Sequence, residues 1–257
     1  MKPSDYDFAS RVFSCIDNTT LNATDIASSV EAFCRRTMEM RLQTESAATP
    51  LAVAAVCVYP RFVGVARQTL AGSGIRVASV AGAFPHGQLP LHLKVEEVKY
   101  AVGEGADEVD IVLSRGLLLA GDDLRVCDEV AAMKEACQGK TLKVILETGE
   151  LASPPLIAKA SRLAIDGGAD FIKTSTGKIA VGATLEAAEV MLKTIAESVK
   201  INKKLVGFKA AGGISTPEEA LAYAEMAKKI MGDDYVNSQS FRIGASRLTE
   251  RMFSILT

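Results

Sequence analysis

Apolar and β-branched residues collect in eight short runs along the chain. They are VFSCID (12–17), LAVAAVCVY (51–59), IRVASVAG (75–82), EVDIVLS (108–114), LKVILETG (142–149), DFIKTSTG (170–177), LVGFKAAGG (205–213) and SFRIGAS (240–246). Near-continuous apolar runs of this length describe strands buried on both faces. The first run also fits the end of a helix starting near Ser4. Longer amphipathic stretches lie between the runs, several with readable starts and stops. Thr24-Asp25 opens a helix through Met40, and Asp122-Asp123 opens one that closes at Gly139. Pro154-Pro155 leads into a helix stopped at Gly167-Gly168. Thr216-Pro217-Glu218-Glu219 supplies an N-cap, a first-turn proline and acids that suit the helix dipole, before a helix ending near Gly232. ASRLTERMFSILT (245–257) is a final amphipathic segment.

Eight strands that each lead into a helix predict a closed parallel α/β barrel, a TIM (β/α)8 barrel with a short extra N-terminal helix. The alternative is an open doubly wound sheet, but no GxGxxG follows the first strand and no second domain is available to form a crevice. LQTESAATP (42–50) and GQLP (87–90) read as loops. The length of 257 residues suits one such barrel over 1–257, since the fold typically takes about 250.

Composition narrows the function. The chain is 48% hydrophobic and 23% charged with a net charge of −2, so neither nucleic acid nor an anionic membrane is an expected partner. No apolar run approaches the ~20 residues that span a bilayer, and MKPSDYDFAS has acids and no apolar core of a secretory signal. The five cysteines (Cys15, Cys34, Cys57, Cys127, Cys137) form no CxxC pair, which points to a reducing, cytoplasmic setting. The two histidines, His86 and His92, lie in no ligand pattern, so no metal site is expected.

A barrel of this type builds its site at the C-terminal ends of its strands. Asp17, Cys57, Asp110, Glu147, Lys173 and Lys209 stand there, with glycine-rich ends at Gly177, Gly212-Gly213 and Gly244. Side chains alternate along a strand, so Lys173 and Lys209, on adjacent strands, bring their amines together if both face inward. Two ammonium groups in a desolvated site repel, and the better-buried one gives up its proton. A neutral amine attacks carbonyls, which is the requirement for Schiff-base catalysis. Asp17 and Asp110 suit holding the second lysine charged and moving protons. The bland alternative is that both lysines cap strand ends and reach solvent or pair with Asp17 and Asp110. The glycines of TSTGK, AAGGIST and IGASR expose backbone N–H groups at three consecutive strand ends, the usual place for a phosphate in this fold.

DFIKTSTGK, ADEVD (106–110), LKVILETGE (142–150), VGFKAAGG (206–213) and IDNTTLN (16–22), with CVYPRF (57–62) and FPHG (84–87), resemble deoxyribose-phosphate aldolase. The match runs in order from about residue 10 to 250 and looks closest to the longer bacterial-type branch. The resemblance implies a class I aldolase with no cofactor and no metal. Such an enzyme cleaves 2-deoxy-D-ribose 5-phosphate reversibly to D-glyceraldehyde 3-phosphate and acetaldehyde. It implies Lys173 as the Schiff-base lysine, Lys209 as the neighbour that lowers its pKa, Asp110 in proton transfer and Asp17 as the partner of Lys209. Thr176 is implied at the reacting centre, and Gly177, Lys178, Gly212, Gly213, Gly244 and Ser246 at the phosphate. Cys57 falls where many members carry a cysteine near the site, although a lone apolar-strand cysteine also reads as core. Glu147 suits either the barrel interior or a structural hydrogen-bond network.

The sequence departs from that pattern at Ala83 (commonly Asn), Ala210 (commonly Pro) and Arg247 (commonly a second Ser). It ends at Thr257 without the longer tail ending in Tyr, so proton transfer is expected to manage without that Tyr. Other readings remain: a different Schiff-base aldolase or transaldolase, or a barrel that binds a sugar phosphate without catalysis. The partner expected in each case is a small sugar phosphate, with a homodimer left open as the assembly.

Overall fold

The computed structural model of the chain describes residues 3–43 and 50–257, so most of the loop expected at 42–50 lies outside the described residues. Helix α1 (Pro3–Phe13) leads into β1 (Ile16–Thr19) and α2 (Ala27–Glu39). β2 (Ala55–Val58) is followed by α3 (Val63–Thr69), and β3 (Arg76–Ala81) by α4 (Leu91–Gly103). β4 (Glu108–Val112) leads into α5 (Arg115–Leu119) and α6 (Asp123–Ala136). β5 (Thr141–Ile145) leads into α7 (Thr148–Leu151) and α8 (Pro154–Asp166). β6 (Phe171–Lys173), β7 (Gly207–Ala211) and β8 (Phe241–Ala245) precede α9 (Leu185–Asn202), α10 (Pro217–Met231) and α11 (Leu248–Leu256). The strands pair in parallel and in chain order, and β8 closes on β1, which is the expected TIM barrel with α1 ahead of it.

Local chemistry explains the boundaries. The Thr216 hydroxyl accepts from the Glu219 N–H while the Glu219 carboxylate accepts from the Thr216 N–H, a capping box that fixes the start of α10. Gly232 ends the helix at φ 99°. At the starts of α9 and α6 the side chains of Thr184 and Asp122 accept from the Ala187 and Arg125 N–H groups, single caps without the reciprocal bond. The run at 12–17 resolves differently from a strand: Val12 and Phe13 complete α1, and β1 begins at Ile16 and continues into polar Asn18 and Thr19. Val12 and Phe13 are apolar because they face the core from α1, which packs on α10 and α11. The LAVAAVCVY strand is shorter than its apolar run, as Leu51 bridges back to Leu42 instead.

β6 stops after Lys173, well short of the expected 170–177. There the Thr174 hydroxyl accepts from the Ala211 N–H and donates to the Ala211 carbonyl, so a side chain replaces the next rung of the ladder. The main apolar core lies between the outer strand faces and the helices. A second, small apolar cluster of Leu21, Ala55, Cys57, Ala78 and Val80 belongs to the β1–β3 side of the barrel. Among the described residues no helix is long and apolar enough to cross a membrane.

Candidate active site

Strand register sets the chemistry. Lys173 of β6 lies directly beside Lys209 of β7, and Asp110 of β4 beside Lys143 of β5. Asp17, Asp110, Lys143 and Lys209 are fully buried, and Lys173 is 3% exposed. An unpaired charge in such a place costs several kcal/mol, so each must find a partner or lose its charge.

The partners converge on Asp110. Its Oδ2 accepts from Lys173 Nζ and Lys209 Nζ, both at 2.8 Å, and its Oδ1 accepts from Lys143 Nζ at 2.8 Å. Lys209 Nζ also donates to Asp17 Oδ2 at 2.5 Å. Asp17 Oδ1 accepts from Arg242 Nη1 at 2.5 Å, and Arg242 Nη2 donates to Glu108 Oε1 at 2.7 Å. Glu108 Oε2 pairs with Lys143 at 2.6 Å.

The four basic groups do not fare alike. Against the cost of burial, Asp110 and Asp17 hold Lys209 above the ordinary lysine range. Asp110 and Glu108 do the same for Lys143, and Asp17 and Glu108 for Arg242. Lys173 moves the other way: burial lowers its pKa, and Lys209 beside it adds to the fall, while Asp110 alone cannot restore it. Asp110 itself is held well below the usual carboxylate range, because three lysines outweigh its burial.

A cavity of about 150 Å³ opens above this cluster at the C-terminal mouth of the barrel. Lys173 reaches it, whereas Asp17, Asp110, Lys143, Lys209 and Arg242 do not. Thr176, expected at the reacting centre, and Gly177, Lys178, Gly212, Gly213, Gly244 and Ser246, expected around a phosphate, all line it. Gly177, Gly212 and Gly213 have φ of 75°, 99° and 85°, the left-handed backbone that favours glycine. Lys178 Nζ donates across the mouth to the Leu21 carbonyl. Gly244 also has a packing role, since a Cβ there would stand 2.9 Å from Lys209 Cε.

Glu147 belongs to a hydrogen-bond network. Its Oε2 accepts from the Thr176 hydroxyl at 2.5 Å and its Oε1 from the Thr176 N–H at 3.1 Å, which fixes the TSTG turn from behind. It holds this position from a left-handed backbone, φ 58°, at the start of α7. Cys57 does not line the cavity; it is fully buried in β2 among Leu21, Ala55, Ala78 and Val80, and burial pushes its thiol up. Ala83 has φ 63° and its N–H donates to Glu97, Ala210 is buried in β7, and Arg247 is exposed at the start of α11 outside the cavity lining.

The chain matches the DeoC/LacD family aldolase over residues 11–248. It belongs to the DeoC/LacD aldolase family. Among solved structures, a Coccidioides immitis protein provisionally named deoxyribose-phosphate aldolase is similar at 28% identity. Its TM-score is 0.82, with 97% of this chain and 87% of that one covered. An aldolase called QR15 is similar at 29% identity with a TM-score of 0.77, covering 95% and 96% of the two chains. A deoxyribose phosphate aldolase from Aeropyrum pernix, at 23% identity and a TM-score of 0.73 over 97% and 90%, shares the fold.

In this DeoC/LacD aldolase the structure unites residues that sequence reasoning passed over. Lys143, Glu108 and Arg242 enter the buried cluster from β5, β4 and β8. Alternation carried a signal for them: Glu108 shares a strand face with Asp110, and Arg242 with Gly244. Glu108 and Arg242 sit at or near strand starts, where a charge ordinarily reads as the solvated end of a run, whereas Lys143 is the central residue of β5 but stands second in its apolar run, LKVILETG.

Proposed function

We propose that this DeoC/LacD aldolase is a deoxyribose-phosphate aldolase, cleaving 2-deoxy-D-ribose 5-phosphate to D-glyceraldehyde 3-phosphate and acetaldehyde, reversibly, through an imine on Lys173. One observation carries the reading. Lys173 is the only base of the buried cluster that opens on the cavity, and it is the one whose pKa falls. A buried neutral amine at the end of a phosphate-type cradle is what imine formation on a sugar phosphate requires.

Neutral Lys173 adds to C1 of the open-chain aldehyde, and proton transfer from an acid to the carbinolamine hydroxyl, with departure of water, gives the protonated imine. The imine draws the electron pair of the C2–C3 bond as a base removes the C3 hydroxyl proton. Glyceraldehyde 3-phosphate departs, and the enamine is protonated at carbon. Water adds to the resulting imine and releases acetaldehyde and the free amine. Asp110, bonded to both lysines, is positioned to relay protons through water, with Lys209 as the resident cation and Asp17 holding it. Gly177, Gly212, Gly213, Lys178 and Ser246 supply N–H, ammonium and hydroxyl donors for the phosphate.

Of the apolar cluster on the β1–β3 side only Leu21 lines the cavity. The preference for acetaldehyde over a hydroxylated donor such as dihydroxyacetone therefore rests on the family resemblance and is read directly by the donor assay below.

The test is borohydride reduction in the presence of acetaldehyde followed by peptide mapping. The expected result is an ethyl group on Lys173, with retro-aldol turnover of deoxyribose 5-phosphate and none of a dihydroxyacetone-derived ketose phosphate. Labelling elsewhere, or no labelling, overturns the mechanism. Labelling of Lys173 with a preference for the hydroxylated donor overturns the substrate alone.

A further inference from the structure

The buried contacts beneath Lys173 close into a ring. Arg242 bonds Asp17, Asp17 bonds Lys209, Lys209 bonds Asp110, Asp110 bonds Lys143, Lys143 bonds Glu108, and Glu108 returns to Arg242. Charges alternate around it, three positive and three negative, so the ring is neutral as a unit. Lys173 is attached from outside, on Asp110. As an ammonium it would be a fourth cation over three carboxylates, in an interior where charge is poorly screened.

We propose that Arg242 is a positioning residue: by completing this neutral ring it leaves Lys173 as the uncompensated base of the barrel and so keeps it neutral for reaction. The inference rests on Lys173 being the imine-forming amine. It adds that a group at the far end of the barrel, which does not line the cavity, controls that amine's protonation.

The surroundings of Lys173 are consistent with this control. Around Lys173 and the ring are Asp17 from β1, Cys57 from β2, Glu108 and Asp110 from β4, Lys143 from β5, Lys209 from β7 and Arg242 from β8. β3 adds only Ala78 and Val80 to the apolar cluster on its side. Arg76, at the start of β3, touches Glu108 at 3.5 Å, but its side chain is 34% exposed and water screens it. Lys178, in the same cavity, is bonded to the Leu21 carbonyl, and Glu147 is occupied by Thr176. The buried thiol of Cys57 is pushed up by burial and carries no charge near neutrality.

Arg242 is built in firmly. Its Nε donates to the Ser238 carbonyl at 2.5 Å, and its guanidinium lies 5.6 Å from the centre of the Phe171 ring. Gly207 leaves the room that ring needs, since a Cβ there would strike it.

The experiment measures the rate of borohydride-trapped imine formation with acetaldehyde against pH, with the label mapped to Lys173. Trapping needs the neutral amine, so its rate falls on the acidic limb. Removing a cation from the ring leaves it negative, favours the ammonium of Lys173, and moves that limb to higher pH in Arg242→Met. Removing an anion does the reverse, so Glu108→Gln moves the limb to lower pH. Each shift is expected to be about one pH unit, roughly tenfold in rate at fixed pH on the limb. The double variant returns the limb toward its original place, and Arg242→Lys, which keeps the charge, leaves it there. Shifts of the same sign in both single variants, or none, with Lys173 still labelled, overturn the proposal. If the wild-type chain is not labelled on Lys173, the imine mechanism fails first. Should Arg242→Met not fold, Glu108→Gln decides alone, because a purely structural loss gives no downward shift.

Discussion

At Gly244 the requirement for a missing side chain is steric. A Cβ there would stand 2.9 Å from Lys209 Cε and 3.0 Å from Ala211 Cβ. Lys209 is fully buried and held by Asp17 and Asp110, so it cannot swing away freely. Gly244→Ala is therefore expected to push the ammonium out of register with Lys173. We expect imine trapping to slow by about tenfold, with an overpacking cost of roughly 1–3 kcal/mol in a denaturant melt. A variant with unchanged trapping would mean that Lys209 has slack. Legibility in the sequence divides at this same scale. Lys173, Lys209, Asp17 and Asp110 were readable because each interrupts or ends an apolar run. Glu108 and Arg242 do the same work of charge compensation from strand starts, where exposed charges are common, and Lys143 does it from the middle of β5 although it stands near the beginning of its apolar run. Which of these charges meet depends on register between strands, as with Lys209 beside Arg242, and no single run encodes that.

Elements meet the site through their ends. The TSTG turn after β6 is braced by Glu147 at the start of α7, while the Thr176 hydroxyl also accepts from the Lys178 N–H at 3.1 Å. Thr176→Val would leave the buried Glu147 carboxylate short of a donor. A loss of about 1–3 kcal/mol is expected by chemical denaturation. Because the turn frames the cavity rather than the amine, KM for a phosphorylated substrate should rise more than kcat falls. A fall confined to kcat would place Thr176 in the chemistry instead. The turn after β3 offers the opposite case. Ala83 adopts φ 63°, a region that costs a side chain roughly 1–2 kcal/mol. Ala83→Gly removes that cost against a smaller loss of chain entropy, so a net gain of about 0.5–1 kcal/mol is expected in a thermal melt. A lower Tm would show that the methyl group is worth more than the strain. The sequence could not announce either feature, since Ala83 and Glu147 owe their left-handed backbones to tertiary bonds with Glu97 and Thr176. Helix ends were different: the cap and stop of α10 are local chemistry and were legible to within a residue.

Across the whole molecule, the ionic interior makes stability depend on pH in a defined direction. Asp17, Glu108 and Asp110 titrate lower in the folded chain than in the unfolded one. Their contribution is complete above the unfolded carboxylate range, about 4, and is lost as pH falls through the folded values. Stability measured in urea should therefore hold from neutral pH down to about 5 and then drop continuously, and a flat profile through pH 3 would contradict the pairing. Lys173 has the reverse sign of the other bases. Its folded pKa lies below that of the unfolded chain, so the native state binds less proton, and its burial costs stability at neutral pH that returns as pH rises toward about 10.4. Lys173→Met removes that cost and leaves Asp110 with Lys143 and Lys209 inside the neutral ring of three cations and three carboxylates. The inactive variant is expected to melt higher than the active chain at pH 7 and to lose its advantage as pH approaches 10. Active sites commonly carry such a trade between stability and function. A lower Tm at neutral pH would mean that the Lys173 ammonium is a structural partner of Asp110, and the nucleophile would have to be sought elsewhere.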